Sequence, residues 1–222
     1  MHVPLIIFGT GSFASVAYYF FAEAGFRVVA FTADAAYLEG NGTARFEGLP
    51  VVPFETVETA YPPQSHGMFI GMGYTGANRI RRDKYLAAKQ KGYRFANLIH
   101  PTACVASNAV LGENCLIMEQ VLLQPYTVLG DNVFLWSGAA VLHHTVVEDH
   151  CFLGGRCVIA GCSRLGQGSF VGTGAVVRDC IDIPPGSIVG AGAVVLRSPD
   201  GAMVHRARYA ESIDFKDWTG SL

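Results

Sequence analysis

Two adjacent histidines, His143 and His144, stand in a stretch almost free of charge, Gly138-Ala139-Ala140-Val141-Leu142-His143-His144-Thr145-Val146-Val147. An imidazole gives and takes protons near pH 7, so the pair is the first candidate for acid–base chemistry. A second candidate is a glycine turn. Leu5-Ile6-Ile7-Phe8 reads as a buried strand and runs into Gly9-Thr10-Gly11-Ser12-Phe13-Ala14, a G-x-G-x-x-A pattern. Such a turn either holds a phosphate on the N–H groups of a helix start or is a plain tight strand-to-helix connection. The six cysteines are Cys104, Cys115, Cys151, Cys157, Cys162 and Cys180, with no C-x-x-C pair among them.

These residues need elements to position them, and the second half declares its elements by a repeat. Every sixth residue from Ile99 to Val195 is Leu, Ile or Val, seventeen positions in a row without an insertion. Four positions after each hit a small residue is common, for example Ala103, Cys115, Ala139, Cys151, Cys157 and Ala175. One position after it glycine is common, as at Gly112, Gly130, Gly154, Gly166, Gly172 and Gly190. A period of six fits neither a helix nor a lone amphipathic strand. It fits a short strand plus a tight turn, three of which close one coil, with coils stacking as parallel strands about 4.8 Å apart. Cys115, Cys151 and Cys157 then fall at small inward positions, where a thiol is a small hydrophobe. Cys104, Cys162 and Cys180 fall at turn positions, and Cys162 is the weak candidate for a nucleophile. His143 also falls at a turn and should point out of the coil.

The first half follows a different grammar. After the glycine turn, Phe13, Val16, Ala17, Phe20 and Ala24 trace a helical face that ends at Gly25. Arg27 to Thr32 reads as a second strand with Asp34 beyond it, giving a βαβ unit of Rossmann-like type. A third strand over Met68 to Gly71 ends at Gly73-Tyr74, and a helix runs from about Asn78 to Lys91. The half is too short for a second mononucleotide unit, which argues against full NAD binding. The predicted organisation is residues 1–98 as an α/β Rossmann-like domain, 99–199 as an all-β hexapeptide coil, and 200–222 as a tail capping the coil.

Composition agrees. The 222 residues carry 16 basic and 18 acidic side chains, net −2, which excludes nucleic-acid binding through a broad basic surface. Glycine is about 12% (26 of 222) against a usual ~7%, with no collagen period. The apolar opening stretch lacks a basic leader and is broken by the glycine turn, so no membrane segment is expected, and a cytoplasmic protein is.

A short Rossmann-like half followed by an unbroken hexapeptide coil resembles the bacterial sugar O- and N-acyltransferases. These include sialic acid O-acetyltransferases and the N-acetyltransferases of nucleotide-linked 4-amino sugars of the bacillosamine type. The resemblance covers roughly residues 3–197 and includes Gly48-Leu49-Pro50-Val51. It implies a left-handed β-helix, a homotrimer, acetyl-CoA bound between subunits, no metal, and a nucleotide-sugar held by the first half. On that resemblance His143 is the general base, with His144 as the alternative. The N–H of Gly161, one coil on, holds the thioester carbonyl. Thr173, Gly174, Ala175, Ala191 and Gly192 line the CoA channel, and Arg206 or Arg208 meets a CoA phosphate. Gly9, Gly11, Ser12, Asp34, Gly73, Tyr74 and Trp136 form the sugar-nucleotide side.

The chain departs from the family pattern in three places. His144 replaces the acidic residue that often follows the base, leaving Glu148, Asp149 or a neighbouring subunit to orient it. Trp136 replaces an asparagine seven residues before the base. Met203-Val204-His205-Arg206-Ala207 replaces a G-x-P-A stretch. The expected activity is acetylation of an amino group on a nucleotide-linked sugar in surface glycan synthesis. The alternatives are O-acetylation of a sugar hydroxyl, a non-catalytic scaffold, and a zinc carbonic anhydrase using His143, His144 and His150.

Overall fold

A computed structural model describes residues 3–42 and 44–207. Arg208 and the tail aromatics Tyr209, Phe215 and Trp218 lie outside the described residues. The first half forms a sheet flanked by helices. Its elements are β1 (Leu5–Phe8), α1 (Ser12–Glu23), β2 (Val28–Ala33), α2 (Ala35–Asn41), β3 (Arg45–Phe46), β4 (Leu49–Pro53), α3 (Val57–Ala60), β5 (Gly67–Ile70), α4 (Arg79–Gln90) and β6 (Arg94–Phe95). Strand order is β3-β4-β2-β1-β5-β6, parallel except for the β3–β4 hairpin. The sequence reading had the βαβ start, the strand before Gly73 and the long helix. The β3–β4 hairpin is not announced by the sequence, since proline is rare inside a sheet; Pro50 and Pro53 both sit in β4, toward the outer side of the sheet.

Alternation along β1 divides the core. Leu5 and Ile7 face α1, Ala14, Ala17 and Phe21 included, while Ile6 and Phe8 face Tyr85 and Ala88 of α4. All four β1 side chains are buried.

From Leu98 the chain winds as a parallel β-helix. Two-residue strands pair with strands one coil on, as in Leu116↔Phe134, Leu122↔Ala140 and Val128↔Val146. They make three faces of seven, six and five strands. The first face holds Phe134–Leu135 and Phe152–Leu153, the second Ala140–Val141 and Val158–Ile159, the third Val146–Val147 and Arg164–Leu165. The hexad residues from Ile117 to Val195 form one buried inner column with Cys115, Cys151 and Cys157. At the open first coil Ile99 is in phase yet 42% exposed. Past the last hexad, Val204–His205 adds a strand beside Ile188–Val189, so the start of the tail covers that edge.

The glycines one position after a hexad residue are set by packing between coils and not by the turn. They are not left-handed. A Cβ on Gly172 would lie 2.4 Å from Ala191 N, and one on Gly166 2.4 Å from Pro185 N, so these positions are glycine because the next coil passes too close. The left-handed corners fall two residues later and recur every six residues from Asn114 to Gly192. They are held more often by other residues, Asn132, His144, His150, Cys162 and Cys180 among them, than by glycine. Cys104 is also moved: it opens a strand of the second face rather than a turn.

The first half docks on the first face. Outward-facing Leu116, Phe134 and Phe152 share a core with α1 and β1, and the Phe69 and Phe134 rings stack 5.7 Å apart. Arg81 of α4 pins the joint. It is fully buried, lies 4.3 Å above the Phe134 ring, and donates to His150 O (2.8 Å), Cys151 O (3.1 Å), Asn132 Oδ1 (3.2 Å) and Gly73 O (3.2 Å). Burial draws its pKa down to about 9. Nothing in a lone arginine on an amphipathic helix marks it as a docking residue in advance.

Candidate active site

The glycine turn opens a cavity of about 280 Å³ at the carboxyl ends of β1, β2 and β5. It is lined by Gly9, Gly11, Ser12 and Asp34 together with Tyr37 and Gly73. This is where open α/β sheets bind ligands. Gly9 is left-handed (φ +112°), and a Cβ on it would press to 3.1 Å from Gly71 O, so the turn is built on close approach of β1 and β5. Gly11 starts α1 without a side-chain cap, leaving the helix N-terminus open to the cavity. Asp34 pairs with Lys84 of α4 at 2.5 Å. Tyr74 and Trp136 are not in the cavity wall. Both meet Phe13, which is: Trp136 at 5.1 Å and Tyr74 edge-on at 6.2 Å.

His143 and His144 sit at the corner between the second and third faces, both exposed. The corner turns there because His144 adopts φ +58°. His143 N–H donates to Gln124 Oε1 at 3.0 Å, one coil back. The two imidazoles meet through their Nδ1 atoms at 3.3 Å, and the His144 ring stacks on Tyr126 at 4.6 Å. Nε2 of His143 has no hydrogen-bond partner among the described residues. The acidic candidates for orienting His143 are engaged elsewhere. Glu148 pairs with Arg164 and accepts from Gln167 N at 2.7 Å, and Asp149 accepts from Asp131 N at 2.8 Å. His144, stacked on Tyr126, is the described side chain within hydrogen-bond distance of the His143 ring.

Gly161 lies directly against His143. A Cβ there would be 2.6 Å from His143 Cε1 and 2.7 Å from Nε2. Its carbonyl accepts from Cys180 N at 3.0 Å, while its own N–H has no acceptor among the described residues. Histidine and glycine thus present a proton acceptor and an unpaired donor side by side, the pairing that acyl transfer uses.

The Thr173-Gly174-Ala175 and Ala191-Gly192 segments stack on each other, Gly192 N donating to Thr173 O at 2.9 Å. They lie at the corner between the first and second faces, not at the histidine corner. Within one chain the strands of the second face separate them from His143. Arg206 is exposed, next to the added edge strand.

His150 does not join His143 and His144. It is 4% exposed at the next corner, its Nδ1 accepting from Asn132 Nδ2 at 3.0 Å, and burial pushes its pKa down to about 4. Among the described residues no group of three His, Cys, Asp or Glu side chains is arranged to hold a metal ion. No described helix is long and apolar enough to cross a membrane.

A cavity at a glycine turn beside a hexapeptide coil with an exposed histidine at a corner is the arrangement that the resemblance to sugar acyltransferases implies, and the comparisons with known proteins support an acyltransferase. Residues 126–161 match the family described as bacterial transferase hexapeptide (six repeats), and the coil is the left-handed β-helix expected from the resemblance. Among solved structures, PerB from Caulobacter crescentus in complex with CoA and GDP-perosamine is similar over 93% of this chain and 97% of its own, at 28% identity and a TM-score of 0.80. The acetyltransferase domain of PglB from Neisseria gonorrhoeae FA1090 in complex with acetyl coenzyme A is similar over 91% and 96%, at 26% identity and a TM-score of 0.79. A histidine-to-alanine mutant of GDP-perosamine N-acetyltransferase from Caulobacter crescentus, with CoA and GDP-perosamine, is similar over 93% and 97%, at 27% identity and a TM-score of 0.81. A comparison with curated proteins gives no match.

Proposed function

We propose that the protein transfers the acetyl group of acetyl-CoA to an amino group of a nucleotide-linked sugar, as a homotrimer in the cytoplasm. The observation that carries this reading is the contact of His143 with Gly161. Nε2 of His143 takes the proton of the attacking amine, Gly161 N–H stabilises the oxyanion on the thioester carbon, and the CoA thiolate leaves. His144 keeps Nδ1 of His143 occupied and so holds the ring in register for Nε2.

Residues 1–98 supply the nucleotide-sugar site in the cavity at Gly9, Gly11, Ser12, Asp34 and Gly73, and residues 99–199 supply acetyl transfer. The aromatic bridge Phe13–Trp136 carries the sugar from the cavity toward the coil. In this reading the 173–175 and 191–192 segments of one subunit form the CoA wall facing His143 of the next. Two features support assembly: these segments are remote from His143 within the chain, and the coil's outward face carries Leu122, Val158, Val176 and the 61% exposed Val194. The N-acetyltransferase neighbours favour an amine over a hydroxyl acceptor. Purified protein given acetyl-CoA with 4-amino nucleotide-sugars should release thiol and form an amide. Release with sialic acid only would select O-acetylation, and release with neither acceptor would refute the reading.

A further inference from the structure

The left-handed corner column that carries His144 continues with Cys162 and then Cys180, one coil apart, at φ +57° and +55°. Both are exposed, and they stand near enough that the Cys162 thiol helps to raise the pKa of the Cys180 thiol. Their backbones are locked in register: Cys162 N donates to His143 O at 2.9 Å and Cys180 N to Gly161 O at 3.0 Å. Stacked strands lie about 4.8 Å apart, inside the Cα range of roughly 4.4–6.8 Å that a disulfide spans. The other cysteines lack this arrangement. Cys115, Cys151 and Cys157 are buried with pKa values pushed up to about 12 by desolvation, and exposed Cys104 has Leu122 as its neighbour one coil on.

We propose that Cys162 and Cys180 are a dithiol modification site that closes to a disulfide on reaction with low-molecular-weight disulfides, and that closure stops acetyl transfer at the adjoining His143–Gly161 corner. The thiolate of Cys162 attacks one sulfur of the incoming disulfide and expels one thiolate. Cys180 then loses its proton and attacks Cys162 Sγ, forming the Sγ–Sγ bond and expelling the second thiolate. The two cysteine protons end on the two released thiols, so the cysteines are oxidised and the small disulfide is reduced. Desolvation, the neighbouring Cys162 and Asp179 hold the Cys180 thiol above its ordinary pKa, which disfavours Cys180 as the first attacker.

The effect on turnover rests on the acetyl-transfer reading; the bond does not. Parallel Cβ atoms one coil apart stand wider than the ~3.8 Å typical of a disulfide, so closure draws the two corners together. Gly161 is bonded to both corners, through its chain link to Cys162 and its carbonyl to Cys180 N. Displacing it moves the free N–H away from His143, and a shift of about 1 Å at a reacting centre costs up to roughly a hundredfold in rate.

The test is incubation of the full-length protein with oxidised glutathione, followed by intact mass, peptide mapping and acetyl transfer. The expected result is loss of two hydrogens, a joined pair of tryptic peptides carrying Cys162 and Cys180, and a tenfold or greater fall in turnover that dithiothreitol reverses. Cys180→Ser should keep wild-type turnover and gain one glutathione on Cys162 instead of closing. Mapping needs no turnover, so it decides the site even if the acetyl-transfer assay is silent. Two unlinked glutathione adducts, or no reaction at either thiol, would overturn the dithiol site. A closed disulfide with undiminished turnover would overturn the inhibition.

Discussion

The imidazole of His143 rests against the backbone of Gly161 one coil on, so closely that a single added methyl group would sit 2.6 Å from Cε1. The glycine is needed there for the ring and not for the turn, since its φ is not left-handed. Catalytic geometry and fold stability therefore separate at this corner, and substitutions can tell them apart.

Gly161→Ala forces the exposed His143 ring to swing away, because the obstacle is a movable side chain. The expected outcome is a fall in kcat of tenfold or more with thermal stability nearly unchanged. Gly172→Ala meets the main chain of the next coil, at 2.4 Å from Ala191 N, and cannot be relieved by a rotamer. It should destabilise the fold by about 1–3 kcal/mol. Paired urea unfolding and steady-state kinetics on the two variants check the contrast; equal loss of stability in both would contradict it.

This distinction shows where the sequence was legible. The hexad ladder is visible because burial of one residue in six admits only aliphatics, and that column is buried from Ile117 to Val195. The glycine pattern was visible too, yet its cause was not, since an absent Cβ serves close packing and left-handed φ alike. Cys162 and Cys180 fall at turn positions in the sequence as in the structure, but the corner column as a whole is not legible, because Asn132, His144, His150 and Cys162 share a conformation, not a chemistry.

Arg81→Met should cost about 3 kcal/mol or more, since it strands the buried carbonyls of Gly73, His150 and Cys151 and the Asn132 side chain without their donor. Hydrogen exchange should quicken at β5 and along the first face, where the halves meet. Protection equal to wild type would show that apolar packing alone holds the joint. This residue and the Asn114–Asn132–His150 stack below it were not foreseen. Their contacts join segments far apart in sequence, with Asn114 Oδ1 accepting from Ile70 N at 2.8 Å.

His150 should make stability fall on acidification. Burial lowers its folded pKa to about 4 from an ordinary 6.5, so between those values the unfolded chain binds a proton that the folded chain refuses. Its contribution is complete above pH 6.5 and is lost as pH falls toward 4, on the order of 3 kcal/mol at most. Urea midpoints of wild type and His150→Gln measured from pH 7.5 downward should converge. Parallel curves would contradict the assignment.

The central claim is that His143 is the proton acceptor for acetyl transfer to an amino sugar. It is tested most directly by comparing kcat of wild type and His143→Ala with acetyl-CoA and a 4-amino nucleotide-sugar, following thiol release and the amide product. The account predicts a loss of about 10²–10⁴-fold with thermal stability unchanged, because the side chain is exposed. A variant that turns over at the wild-type rate would contradict it.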